Sequence, residues 1–331
     1  MSAPGGVLVI AQAEGGALSE LSREMLALAR RLADETGGMV EAVLLGENLG
    51  DSAGDLIAFG ADRIHIGDGA AYTAYLAEAW MPKLIEVAAD APPAVILIGH
   101  DTMGADLAPR LAIRLGTTVA TACVEAEFVA GRLHATRSCY GGAARETLSF
   151  KTGPCVLTIK SKSQAALDRN NGRKGEIVPL AADAVQTRVR IVERNVSAAA
   201  GVRLETAAVV VAGGRGLNGP EGFKVARELA DLLGGALGAS RVACDLEWCP
   251  ASIQIGLSGR TVAPELYLAL GISGASQHMA GCGGAKTIVA INNDPTAQIF
   301  KSSRFGIVGD CQEILPPLID ALRVLRDAKD S

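Results

Sequence analysis

Residues 207–220 read AAVVVAGGRGLNGP, an apolar β-branched strand over Ala207–Ala212 and a glycine turn, followed by a periodic helix over Glu221–Leu233. A short strand that passes through a tight turn into a helix opens a βαβ unit, so this part of the chain reads as a parallel, Rossmann-like α/β domain. Gly214, Gly216 and Gly219 form a G-x-G-x-x-G within the turn, a placement that lets backbone N–H groups approach a pyrophosphate at a helix N-terminus. The same glycines also suit a tight structural turn. A nicotinamide-binding version wants an acid about 20 residues on, at the tip of the next strand. There the sequence is GALGASR, with Arg241 where the acid is wanted. That weakens an NAD reading and leaves an NADP-dependent oxidoreductase subunit as the alternative, with Arg241 on the 2′-phosphate.

Downstream, residues 266–295 read LYLALGISGASQHMAGCGGAKTIVAINNDP. The apolar run LYLALGI is a buried strand, Gly271, Ser273 and Gly274 form its turn, and a helix starting near Ser273 carries Ser276, Gln277 and His278 at its positive end. Donors gathered there suit an electron-rich carbonyl or a developing anion. His278 taken alone also fits an ordinary core or surface histidine. The strand TIVAIN (Thr287–Asn292), the short strand FGIVGD and a final helix complete the domain. Asp310 and Glu313 have capping-box spacing, so Asp310 is a helix cap or a ligand contact.

Upstream, Val7–Ile10, Val40–Leu45 and Ala94–Gly99 alternate with helical stretches, the first carrying Leu18, Leu21, Met25, Leu28 and Leu32 in register and stopping at Gly37-Gly38. This predicts a second set of βαβ units in a three-layer arrangement. Thr121–Lys160 turns strand-like, including PCVLTIK, and reads as an antiparallel extension. Ser161 to about Gly201 is polar, with RNNGRKGE at its centre and one possible short strand, TRVRIV. The boundary therefore falls near its end, giving domains 1–200 and 201–331, in line with the usual domain size.

Composition excludes several classes. With 49% hydrophobic and 20% charged residues the chain is globular, and no stretch has the ~18 uninterrupted apolar residues of a membrane span. A formal charge of −5 without a basic cluster argues against nucleic acid as a partner. No basic region precedes the short apolar run at the N-terminus, so a cytoplasmic address is expected. The seven cysteines have irregular spacing without a Cys-x-x-Cys pair, which predicts buried fillers in a reducing compartment rather than a zinc or iron–sulfur site. No set of general acid, base and nucleophile is apparent, and His65, His100 and His134 are isolated.

Taken together, GGRG at Gly213–Gly216, SR at Ser240-Arg241, WCP at Trp248–Pro250, SGRTVAPELYLALGISGASQH at Ser258–His278, VAINNDP and GIVGD resemble the alpha subunit of an electron transfer flavoprotein. The first domain is similar more loosely, in APRLAIRLG at Ala108–Gly116 and YGG at Tyr140–Gly142. The resemblance implies two α/β domains, FAD in the second, and a beta subunit, holding AMP or a second FAD, packed against the first. It implies an electron carrier rather than an enzyme. Electrons would come from dehydrogenases, acyl-CoA dehydrogenases of fatty acid β-oxidation foremost, and go to a quinone oxidoreductase or other acceptor; some relatives bifurcate electrons.

Residue by residue, the resemblance places Arg241 against the flavin ring, Ser258 on N5, and His278 with Gln277 near the C2 carbonyl. Arg215, Ser240, Ser273, Gly274, Asn292 and Asp310 match positions for the pyrophosphate, ribityl and adenosine parts. Gln254 and the backbone of Ile255, Gly256 and Leu257 flank the isoalloxazine; Ala275, Ser276 and Cys311 complete the set. Leu257 stands where a glutamine-like residue is expected, and Cys311 where an apolar one is. Physical logic is consistent with these roles, because a cation and a helix N-terminus beside N1 and the C2 oxygen stabilise an anionic semiquinone.

Overall fold

The computed structural model describes residues 5–140, 144–151, 153–181, 187–193 and 202–330. Backbone contacts sort the chain into two compact units, 1–139 with 145–194, and 140–144 with 195–331. Most of YGG and the junction of residues 200 and 201 lie outside the described residues.

In chain order the first unit holds β1 (Val7–Ala11), a small hairpin of β2 (Ala13–Glu14) and β3 (Ala17–Leu18), α1 (Glu20–Thr36), β4 (Val40–Gly46), α2 (Ser52–Ala58), β5 (Arg63–Asp68), α3 (Ala77–Asp90), β6 (Val95–Gly99) and α4 (Thr102–Arg114). There follow β7 (Val119–Val129), β8 (Arg132–Cys139), β9 (Ala144–Ser149), β10 (Cys155–Ile159) and β11 (Glu176–Pro179). Apart from the small hairpin they form one sheet in the order β11-β5-β4-β1-β6-β10-β7-β8-β9. α1 forms where the leucine spacing places it, with the Ser19 hydroxyl accepting from Ser22 N and Gly37 closing it at φ 67. Alternate residues of β1 feed opposite layers, Val7 and Val9 packing with Met25 and Leu28, Leu8 and Ile10 with Leu84 and Leu107.

Three details differ from the sequence reading. PCVLTIK is not part of the antiparallel extension: β10 inserts in parallel between β6 and β7, as its five buried residues require. Glu176–Pro179, inside a stretch read as polar loop, pairs in parallel with β5. TRVRIV is not a strand; Val189, Ile191 and Val192 are exposed.

The second unit holds β12 (Val209–Gly213), α5 (Pro220–Leu232), β13 (Ala236–Ala239), α6 (Arg241–Asp245), β14 (Leu266–Leu270), α7 (Ser276–Cys282), β15 (Thr287–Asn292), α8 (Ile299–Ser302), β16 (Phe305–Val308) and α9 (Cys311–Asp330). The helix expected near Ser273 therefore begins three residues later. All five strands are parallel, in the order β13-β12-β14-β15-β16. Both faces are covered: Val210, Tyr267 and Ile299 pack on one side, Val211, Leu229 and Leu315 on the other. This is a doubly wound three-layer fold whose strand order reverses between β12 and β14, and ligands of such sheets bind beyond the carboxyl ends at that reversal.

Candidate functional site

At the reversal the loops after β12 and β14 touch backbone to backbone. A Cβ on Gly216 would lie 2.7 Å from Gly271 Cα, and one on Gly271, whose φ is +62, would lie 2.5 Å from Gly216 Cα. Gly214 N donates to the Leu270 carbonyl and Gly216 N to that of Gly271, at 2.8 and 3.1 Å; Leu217 N and Asn218 N close the turn on Gly214 and Arg215. These N–H groups are engaged within the protein. Gly214 and Gly216 thus serve loop packing rather than a nicotinamide-type pyrophosphate cradle, and the NADP alternative loses the turn it rested on. Gly219 is the open one, at φ +136 with no atom near its missing side chain.

Three helices leave this edge from the adjacent strands β13, β12 and β14. Neither α5, which begins at Pro220, nor α6, which begins at Arg241, nor α7, which begins at Ser276, has a side-chain cap at its N-terminus. In the first unit Ser19 and Asp101 cap α1 and α4, while α2 and α3 lack a side-chain cap as well. Uncapped first turns carry unsatisfied N–H groups and partial positive charge, which a phosphate or an electron-rich carbonyl satisfies.

The residues expected at the site converge on the same edge. Arg215 follows β12, Ser240 and Arg241 follow β13, Ser273 to His278 follow β14, Asn292 ends β15, and Asp310 with Cys311 follow β16. The Gln254–Ser258 loop is tied in by Ile255 N, which donates to the Ala239 carbonyl at 2.8 Å, and by Leu257 N, which donates to that of Gln277 at 2.7 Å. Gly256 at φ +140 permits that approach, since a Cβ there would meet the Gln277 carbonyl at 2.9 Å. Gln254 Nε2 donates to Ser258 Oγ at 3.0 Å. Ser258, Leu257, Ser273, Ala275, Ser276 and Gln277 are exposed, as are Arg215 and Arg241. Arg241 pairs with Asp245 at 3.3 Å on the helix surface, a weak restraint that a ligand can replace.

His278 is different. It is 7% exposed, with Nε2 2.8 Å from the Tyr267 hydroxyl, while Nδ1 is enclosed and lacks a partner in hydrogen-bond geometry. Burial pushes its pKa down to about 4, the Ile255 carbonyl pulling weakly the other way, so the imidazole is neutral at pH 7 rather than a cation. Tyr267 is fully buried on β14, inside a run whose sequence pattern is only apolar. A lone tyrosine on a doubly buried strand is the signal for it, because its hydroxyl must find a partner.

Two expected contacts are engaged in holding the edge together. Asn292 Nδ2 donates to the Ile272 carbonyl at 2.8 Å and its Oδ1 accepts from Asp294 N at 2.9 Å. Asp310 Oδ1 accepts from Gln312 N at 2.8 Å, capping α9. Cys311 is buried, 3.7 Å from the Ile291 carbonyl. Of the other cysteines, Cys123, Cys155 and Cys282 are buried, but Cys139, Cys244 and Cys249 are only half-buried, and all seven are free. Among the described residues no group of acidic, histidine and cysteine side chains is disposed to hold a metal, and no helix is long and apolar enough to cross a membrane.

Residues 7–185 match the electron transfer flavoprotein domain, and residues 203–283 match the electron transfer flavoprotein FAD-binding domain. The chain belongs to the electron transfer flavoprotein alpha-subunit family. It is 39% identical over 324 residues to an electron transfer flavoprotein subunit alpha of Thermoanaerobacterium thermosaccharolyticum, covering 97% of this chain and 98% of the relative. The Bacillus subtilis subunit alpha is 38% identical over 320 residues, covering 96% and 98%. An acryloyl-CoA reductase electron transfer subunit beta of Anaerotignum propionicum is 31% identical over 356 residues, covering 97% and 96%. FAD is thus the cofactor of the second unit. The uncapped helix N-termini, the orphaned Nδ1 of His278 and the exposed serine, glutamine and arginine side chains fit a ligand with an anionic diphosphate and a carbonyl-bearing ring.

Proposed function

We propose that this alpha subunit binds one FAD along the carboxyl edge of its second sheet and, paired with a beta subunit through its first unit, relays electrons between a dehydrogenase and a downstream acceptor. The observation that carries this reading is the convergence of Arg215, Ser240, Arg241, Ser273–His278 and the Gln254–Ser258 loop on that edge. The flavin supplies the redox chemistry. The chain's part is to bind and orient it: the first turn of α5, with Arg215, takes the diphosphate, Arg241 offers a cation to the ring, and Ser258 offers a hydroxyl that donates or accepts. Leu257, 64% exposed, is available to cover an apolar ring face.

Acyl-CoA dehydrogenases are the proposed donors and a quinone oxidoreductase the proposed acceptor. The acryloyl-CoA reductase subunit among the relatives supports a CoA-thioester enzyme as partner. A cytoplasmic site of action accords with seven free thiols. Co-purified with its beta subunit, the chain is expected to be yellow, to release FAD on denaturation, and to pass through an anionic one-electron-reduced state during stepwise reduction. One flavin per heterodimer marks a simple carrier with AMP in the beta subunit, and two mark a bifurcating complex. A colourless complex without releasable FAD overturns the reading.

A further inference from the structure

We infer that Tyr267 is a positioning residue for the flavin site: its hydroxyl donates to His278 Nε2 and so holds His278 as a neutral imidazole with its single proton on Nδ1, a hydrogen-bond donor rather than a cation. The inference rests on the reading of this edge as the FAD site. The groups around the pair decide the direction of the bond. The Tyr267 hydroxyl lies 2.8 Å from His278 Nε2, and the pair is enclosed, Tyr267 at 0% and His278 at 7% exposure. The two arrangements are a tyrosine that donates to Nε2, or an Nε2–H that donates to the tyrosine oxygen while the hydroxyl hydrogen goes elsewhere.

For the second arrangement the hydroxyl hydrogen would have to go to the Cys282 thiol, whose sulfur interacts with Tyr267. A thiol is a weak acceptor and an imidazole nitrogen a strong one, so the hydroxyl hydrogen goes to Nε2. The Ile255 carbonyl also acts on the imidazole and favours a protonated ring; with Nε2 taken by Tyr267, the nitrogen left to carry that proton is Nδ1. Both neighbours select the same tautomer. Among the described residues the groups that act on the imidazole are Tyr267 from β14 and the Ile255 carbonyl from the Gln254–Ser258 loop, with the Cys282 thiol against Tyr267, and neither side chain is ionised at neutral pH. No carboxylate is among them to hold a second proton on the ring.

The consequence is a division of labour. Arg241 is the charge beside the flavin ring, and His278 contributes a neutral, oriented N–H directed toward the Ile255 carbonyl of the loop that flanks the ring. That N–H lies beside the first turn of α7, next to Gln277, whose carbonyl anchors Leu257. A donor held by a buried partner needs no reorganisation when negative charge develops near it.

The test is nitrogen-15 NMR of the histidines in the heterodimer, together with reduction potentials of the bound FAD. The chain has four histidines, and a His278→Gln sample identifies the signal. The expected spectrum shows a neutral ring protonated at Nδ1 that does not titrate from pH 8 to about pH 5. In Tyr267→Phe, Nε2 loses its partner, so the expected results are a mixed or titrating His278 signal and a reduced flavin bound about tenfold less tightly relative to the oxidised one. An imidazolium or an Nε2-protonated ring in the unaltered heterodimer overturns the inference. So does a Tyr267→Phe heterodimer that keeps its flavin and its potentials. The NMR readout needs no flavin; a heterodimer with the expected tautomer but no FAD would instead overturn the flavin-site reading.

Discussion

Arg241 begins α6 with its guanidinium exposed and paired with Asp245. With His278 neutral and Arg215 assigned to the diphosphate, it is the cation offered to the flavin ring, and removing it is expected to act on the reduced flavin more than on the oxidised one. Arg241→Ala should make the first electron harder to add by about 1.5–3 kcal/mol, the range of a hydrogen bond to a charged group. Arg241→Lys keeps the charge but loses the planar fork that stacks and donates twice, so its potential should fall between the two. Spectroelectrochemical titration of the three heterodimers decides this. An Arg241→Ala complex with unaltered potentials and full flavin content would place the guanidinium away from the ring.

The βα turns that carry the site depend on close backbone approach, and the glycines within them are not equivalent. Gly271 combines φ +62 with a Cβ position 2.5 Å from Gly216 Cα, so Gly271→Ala forces two adjacent loops apart. Overpacking and left-handed strain together should lower stability by about 2–5 kcal/mol and loosen flavin. Gly219→Ala meets no atom and should cost about 1–3 kcal/mol, from backbone strain alone, at φ +136 and ψ −179. Paired thermal melts check the contrast, and equal losses would show that loop contact is not what Gly271 provides. At this scale the sequence announces strands that carry their own pattern. β12, β14 and β15 are continuous apolar runs covered on both faces, and the turns after them hold the residue types the site needs. β11 carries no such pattern: EIVP becomes a strand because Glu176 N and Leu180 N find the Asp62 and Ile66 carbonyls and Arg63 pairs with Glu176, partners remote in sequence. TRVRIV has strand composition but no such edge, and its apolar side chains remain in water. Tyr267 illustrates the same limit, since the partner of its hydroxyl emerges only when α7 folds back over β14.

For the molecule as a whole, two buried ionisable groups in different units tilt stability with pH in opposite directions. In the first unit Glu24 of α1 is 3% exposed. Burial raises its pKa from 4.5 to about 7, against the opposing pull of the Lys162 N–H that it accepts. The unfolded chain therefore loses this proton near pH 4.5 while the folded chain keeps it to about 7. The stabilisation is complete below the lower value and is lost as pH rises between the two, on the order of 3 kcal/mol once the buried carboxylate ionises. His278 runs the other way. Its folded pKa of about 4 lies below the ordinary 6.5, so the second unit loses stability as pH falls from 6.5 toward 4. Glu24→Gln keeps an oxygen to accept from Lys162 N and removes the ionisation, so it should melt like the unaltered chain at about pH 5 and higher than it at about pH 8. Parallel melting of the two proteins at both pH values would show that Glu24 is already ionised in the fold, and that its contact with the Lys162 backbone, rather than its burial, governs the proton.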